Sequence, residues 1–100
     1  MEAWIGVEFR HFAALLAVAQ ERSFGRAGRR LGYSQSAISG QIASLERIVG
    51  ERLVERSRGR SRVALTPAGN VLARHAEQMT QQMELARTEM KTVRDAGRIV

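Results

Sequence analysis

Ser34, Gln35, Ser36, Ser39 and Gln41 place three hydroxyls and two carboxamides within the stretch YSQSAISGQI, residues 33–42. These are short, uncharged hydrogen-bonding groups. A nucleophilic role would need His and Asp partners, which do not stand out here, so caps and hydrogen-bond donors explain the serines better. A glutamine amide pairs bidentately with an adenine edge, and a serine hydroxyl meets either base edges or phosphates. The second chemical signal is arginine: Arg56, Arg58, Arg60 and Arg62 stand four in seven residues. Such like charges repel one another, an arrangement that makes sense beside a polyanion. Each residue also has a plainer reading, with Ser34 as a helix cap and Gln35 and Gln41 as solvated surface.

The wider composition narrows the choices. The formal net charge of the 100 residues is +6, and from Arg22 to Arg62 ten Arg stand against three Glu. The excess therefore lies in one segment, a localised field that attracts nucleic acid first and anionic lipid second; a plain solvated basic face is the alternative. With 44% hydrophobic residues the chain buries one modest core. It has no cysteine, and its two histidines, His11 and His75, have no second ligand at metal-binding spacing. There is no phosphate-binding loop or dinucleotide fingerprint. These features predict a protein that is not an enzyme and holds no cofactor or metal. The longest apolar run, Ala13 to Ala19, is far short of the roughly 20 residues that span a bilayer, so no membrane role is expected.

The elements that must position these groups follow from periodicity and caps. Apolar Phe9, Phe12, Ala13, Leu16 and Ala19 predict a first helix over 8–21. Ser23 caps a short second helix that carries Phe24, Arg26, Ala27 and Leu31 and ends at Gly32. Gly28 inside it weakens it, and close packing against a neighbouring helix is the expected compensation. Ser34 opens a third helix, with Ala37, Ile38, Ile42, Leu45, Ile48 and Val49 on its apolar side and Gly50 as its C-terminal stop. The break between the second and third helices is about three residues, the spacing of a helix-turn-helix. Residues 53–56 and 62–65 read as the strands of a β-hairpin whose connection carries the arginines. Thr66 and Pro67 begin a final helix over 67–95.

Along that last helix Leu72, Ala76, Met79, Met83, Ala86, Met90 and Val93 recur at alternating steps of four and three, a heptad seam. At 1.5 Å per residue it would be roughly 40 Å long, longer than a 60-residue body can cover, so a second copy of the chain is the expected partner. Together these elements predict a mainly α fold: a winged helix-turn-helix over 8–65, preceded by a tail over 1–7 and followed by a dimerisation helix over 66–95. In that geometry the second helix of the motif enters the major groove of double-stranded DNA, and the hairpin lies along the backbone or minor groove. The expected DNA-facing set is Ser34, Gln35, Ser36, Ser39 and Gln41 with Arg26, Arg56, Arg58, Arg60 and Arg62. A protein-interaction module with incidental charge is the competing reading.

Several ordered motifs carry a resemblance: Phe9-Arg10-His11-Phe12, Ser23-Phe24 with Arg26-Ala27, Ser34 to Ser39, Leu45-Glu46, Gly50 with Arg52 to Arg56, and Leu65 to Gly69. From about residue 9 to 95 the chain resembles the N-terminal DNA-binding region of LysR-type transcriptional regulators. The resemblance implies a cytoplasmic, nucleoid-associated bacterial regulator. It would form a homodimer through antiparallel linker helices and bind an interrupted palindromic promoter site, with RNA polymerase a partner of the full-length protein. It places groove contacts on Gln35, Ser36 and Ser39 and the wing contact among Arg58, Arg60 and Arg62. It also implies that residues 96–100 begin the hinge to an effector domain. Gly40 departs from the family pattern by removing a common phosphate or base contact. By the same resemblance the wing is about two residues longer than usual for the family, and Gly28 stands where Ala is frequent.

Overall fold

The computed structural model describes residues 4–56 and 62–98. In chain order the elements are α1 (Phe9–Glu21), α2 (Phe24–Leu31), α3 (Gln35–Val49), β1 (Val54–Arg56), β2 (Val63–Leu65) and α4 (Pro67–Arg98). The two strands pair antiparallel, with Val54 opposite Leu65 and Arg56 opposite Val63.

Helix α1 is the central element because α2, α3 and α4 all pack on it. Its fully buried side chains include Leu15 and Val18, whereas Phe9 is 41% exposed and Ala13, Leu16 and Ala19 are half-buried. The buried stripe is thus rotated from the one that Phe9, Phe12, Ala13, Leu16 and Ala19 define, since three helices surround α1 and bury most of its circumference. His11 belongs to this interior: its Nδ1 accepts the Glu8 backbone N–H at 2.9 Å, tying down the start of the helix. At the other end Arg22 adopts a left-handed conformation (φ 55°) and donates to Val18 O at 2.7 Å. Its own carbonyl then accepts the Val63 N–H at 3.0 Å, anchoring β2 to the end of α1.

The turn between α2 and α3 is tightly built. Ser23 caps α2 by accepting the Arg26 N–H at 3.1 Å, and Ser34 caps α3 by accepting the Ala37 N–H at 3.1 Å. Each satisfies one of the N–H groups that a helix start leaves without a partner. Gly28 serves this turn rather than a helix–helix contact. A Cβ on it would lie 2.5 Å from the Tyr33 carbonyl oxygen and 3.2 Å from the Ser34 carbonyl carbon. The turn folds back onto α2 so closely that the Tyr33 N–H reaches Gly28 O at 2.8 Å. A methyl group at residue 28 would have to push backbone aside, which explains why Ala does not stand there.

The hairpin is fastened to α3 by Glu46, whose Oε2 accepts the backbone N–H groups of Leu53 at 2.8 Å and Val54 at 3.3 Å. Thr66 closes the other side, with its N–H on Leu53 O at 3.0 Å and its hydroxyl donating to Arg52 O at 2.6 Å. The same hydroxyl oxygen accepts the Gly69 N–H at 3.0 Å and so caps α4. Gly69 permits the helix to start there, because a Cβ on it would overlap the backbone of Leu53. The core joins all these elements: Leu15 and Val18, Ala27, Ile38, Ile42 and Leu45, Leu53 and Val54, and Leu72, Ala73 and Ala76.

Helix α4 then leaves the body. It continues without interruption through Arg98, so residues 96–98, expected to begin a hinge, are helical. At 1.5 Å per residue its 32 residues measure about 48 Å, and the molecule is drawn out to 61 × 32 × 19 Å. No helix among the described residues is long and apolar enough to cross a membrane.

Candidate nucleic-acid interface

Helix α3 buries Ile38, Ile42 and Leu45 and is held at both ends, by the Ser34 cap and by Gly50 in a left-handed conformation (φ 77°). That burial fixes its rotation, and at about 100° per residue it decides where every polar side chain points. Ser36, Gly40, Ala43 and Arg47 form the outermost stripe, and all four are exposed. Gln35 and Ser39 lie on the flank nearer α2, and the Gln35 Oε1 rests beside Gly25. The Ser34 and Ser36 hydroxyl oxygens are 3.2 Å apart at the start of the helix. The structure therefore brings Ser34, Gln35, Ser36 and Ser39 together at one end of α3.

Gln41 is not part of that group. It projects from the opposite flank, half-buried in an open groove between the start of α1 and the outer side of α3, with Arg10, Gly40, Ser44 and Arg47 around it. Its separation from Ser39 is a matter of helical phase, since two residues turn the helix by about 200°.

The arginines divide in the same way. Arg26 is exposed on α2, with its Nε 4.0 Å from a Glu21 carboxylate oxygen, and the other oxygen of that carboxylate lies 3.6 Å from Arg30, whose guanidinium also reaches the Gln20 amide oxygen. Surface pairs of this kind are worth little in water, so Glu21 orients these cations without removing them from use. Arg62 is exposed immediately before β2, and Arg56 closes β1. Arg58 and Arg60 lie outside the described residues.

Two positions that were not assigned a task from the sequence bear on this region. Glu46 sets the wing on α3 through its two backbone contacts, which no local pattern announces because its partners are seven and eight residues away. Arg47 shares the exposed stripe with Ser36 and Gly40; the spacing of four and seven residues was the signal available for it.

The seam of α4 also splits. Leu72 and Ala76 are buried in the body, whereas Met79, Met83, Met90 and Val93 are 39%, 51%, 73% and 74% exposed, and Ala86 is exposed with them. Trp4, Val49, Val71 and Met79 border an apolar groove where the free part of the helix departs. On the free part of α4, Arg87 Nη2 lies 2.8 Å from Glu84 Oε1. Hydrogen bonding to Arg87 and its charge hold the Glu84 carboxyl below the usual range, and the same contacts raise the Arg87 guanidinium.

A helix-turn-helix with a β-hairpin wing and an extended C-terminal helix defines the class, and comparison with known proteins defines the family. Residues 9–70 match the family model described as "Bacterial regulatory helix-turn-helix protein, lysR family". Among similar proteins, the "Uncharacterized HTH-type transcriptional regulator YfeR" of Shigella flexneri is 39% identical over 90 residues, covering 90% of this chain and 27% of that protein. The "HTH-type transcriptional regulator TfdS" of Cupriavidus pinatubonensis (strain JMP 134 / LMG 1197) is 42% identical over 93 residues, covering 92% of this chain and 30% of that protein. The crystal structure of the "BenM_DBD/catB site 1 DNA Complex" superimposes with a TM-score of 0.81 at 31% identity, over 87% of this chain and 94% of that one. That of the "CbnR_DBD-DNA complex" gives 0.74 at 33% identity, over 91% and 99%. This chain belongs to the lysR family of bacterial regulatory helix-turn-helix proteins. It spans about a third or less of the length of the curated relatives it matches.

Proposed function

We propose that this chain is the sequence-specific, double-stranded DNA-binding domain of a dimeric bacterial transcription regulator. The observation that carries this reading is the exposed end of α3, where a rigid, core-anchored helix presents Ser34, Gln35 and Ser36 with Ser39 beside them. Short hydroxyls and an amide let a helix approach base edges in the major groove closely enough to distinguish them. The arginine-rich hairpin supplies the sequence-independent attraction to phosphates. The similarity to BenM_DBD and CbnR_DBD, both crystallised as DNA complexes, supports the same reading. Arg26, Arg56, Arg58, Arg60 and Arg62 act in it as cations toward the backbone or minor groove.

The dimer forms through the free part of α4. Met79, Met83, Ala86, Met90 and Val93 leave an apolar stripe in water that an antiparallel second copy covers, and two DNA-reading bodies then meet the two halves of an interrupted palindrome. Promoter binding of this kind places the regulator in the bacterial cytoplasm with the nucleoid, and contact with RNA polymerase belongs to the whole regulator. The test is fluorescence anisotropy with a duplex selected by the protein from a random-sequence pool, against a scrambled duplex of equal composition. We expect at least tenfold preference for the selected duplex; equal affinity for both would reduce the domain to non-specific binding, and no binding at low salt would remove the DNA reading.

A further inference from the structure

The outermost stripe of α3 is interrupted by a glycine. A Cβ on Gly40 would meet nothing within 4 Å, so the middle of the stripe is open space rather than a packed contact. Two turns further on, about 10 Å along the axis and at nearly the same angle, stands Arg47. It is exposed, and its Nη2 donates to the Ser44 hydroxyl at 3.3 Å. Among the described residues Arg47 has no carboxylate partner, unlike Arg10 with Glu8 or Arg26 and Arg30 with Glu21. The acid next to it in sequence, Glu46, is turned inward onto the Leu53 and Val54 amides. A full positive charge is thus held at the far end of the face whose near end carries the base-reading groups.

We propose that Arg47 is a phosphate contact of the bound duplex, gripping the strand that passes over the gap left by Gly40. The inference rests on the DNA-binding reading above. A helix whose first turn is seated in the major groove has its last turn rising toward the groove's edge, where the sugar-phosphate backbone runs. A long guanidinium side chain reaches that backbone from the helix surface, and its planar fork suits a phosphate's oxygens. Gly40 contributes by adding no bulk between the helix and the strand. Arg47 therefore adds affinity without choosing a sequence, and the contact is felt equally on every duplex.

The test is the salt dependence of binding of a fluorescein-labelled mixed-sequence duplex, measured by anisotropy between 50 and 200 mM salt, with melting midpoints recorded alongside. Arg47→Ala should lower the slope of log K against log salt by about 0.9 per bound protomer, so that the loss of affinity across this range shrinks about 3.5-fold. Arg47→Lys should keep the wild-type slope, and Gly40→Arg placed in the Arg47→Ala background should recover it. An unchanged slope for Arg47→Ala with a lowered melting midpoint would assign the residue to holding the end of α3 and overturn the proposal. An equal slope change from Arg87→Ala, on the far helix, would overturn it too by showing an effect of net charge. A wild-type chain that binds no duplex overturns the DNA reading itself, an outcome distinct from binding with an unchanged Arg47→Ala slope.

Discussion

Helices α3 and α4 both leave a face uncovered, and they do so with opposite chemistry. The bare face of α3 is made of hydroxyls, an amide, an arginine and two small residues, Gly40 and Ala43, and its polar groups are content in water and specific in what they bind. The bare face of α4 is made of methionines, an alanine and a valine, which water disfavours at roughly 25 cal/mol for each Å2 left exposed. The difference teaches that the two faces await different partners. A polar face gains from a partner by exchanging one set of hydrogen bonds for another, so selectivity follows from matched geometry. An apolar face gains by excluding water, and flexible methionines adapt to whatever shape covers them.

The largest effect should come from the side of α3 that is not bare. Ile42→Ala removes a fully buried side chain and should destabilise the body by about 2–5 kcal/mol in urea unfolding; a loss below about 1 kcal/mol would mean that α3 is not positioned by this core. Gln35→Ala comes next: it should cost on the order of 1–3 kcal/mol on the selected duplex and nothing on a scrambled one. Equal losses on both would make Gln35 a sequence-independent contact and blur the contrast of the α3 face with the wing. Met83→Glu combined with Met90→Glu should raise the dimer dissociation constant at least roughly tenfold by sedimentation, since burying carboxylates without partners is unfavourable, while the melting of the body stays as it was. A tight dimer in this variant would place the interface elsewhere. The smallest effect concerns the solvent side of α4. Glu84 has a lowered folded pKa, so the contribution of its pair with Arg87 is present above the unfolded value and is lost as pH falls through the folded one. Because both groups are fully exposed, circular dichroism should show α4 intact across that acid range, and a cooperative loss of helix there would contradict it.

Much of the fold was legible because its elements are locally punctuated. Ser23, Ser34 and Thr66 announced helix starts, and Gly32 and Gly50 announced their ends, so α2 and α3 fall where caps and periodicity place them. The grouping of Ser34, Gln35, Ser36 and Ser39 at one end of α3 was legible since their neighbours along one helix set it. Less legible was whatever depends on contact at a distance. Gly28 reads locally as a weak point of a helix, yet it answers to the backbone of Tyr33 and Ser34. Glu46 stands in the Leu45-Glu46 motif with no local sign of its task, yet it holds β1. Gln41 was placed with Ser39 in one DNA-facing set, whereas helical phase parts them, and Leu72 differs from Met90 only by where the body ends.

The unbroken course of α4 turns that helix into a ruler. Because the cap on Thr66 and the close fit of Gly69 against Leu53 set its angle to the body, the separation of two DNA-reading bodies in an antiparallel pair depends on the register between the two α4 helices. Sliding that register by one heptad would move the bodies about 10.5 Å along the helices, or close to three base pairs at about 3.4 Å each. The spacing of the half-sites that such a dimer accepts is thus written in which methionine of one α4 meets which methionine of the other.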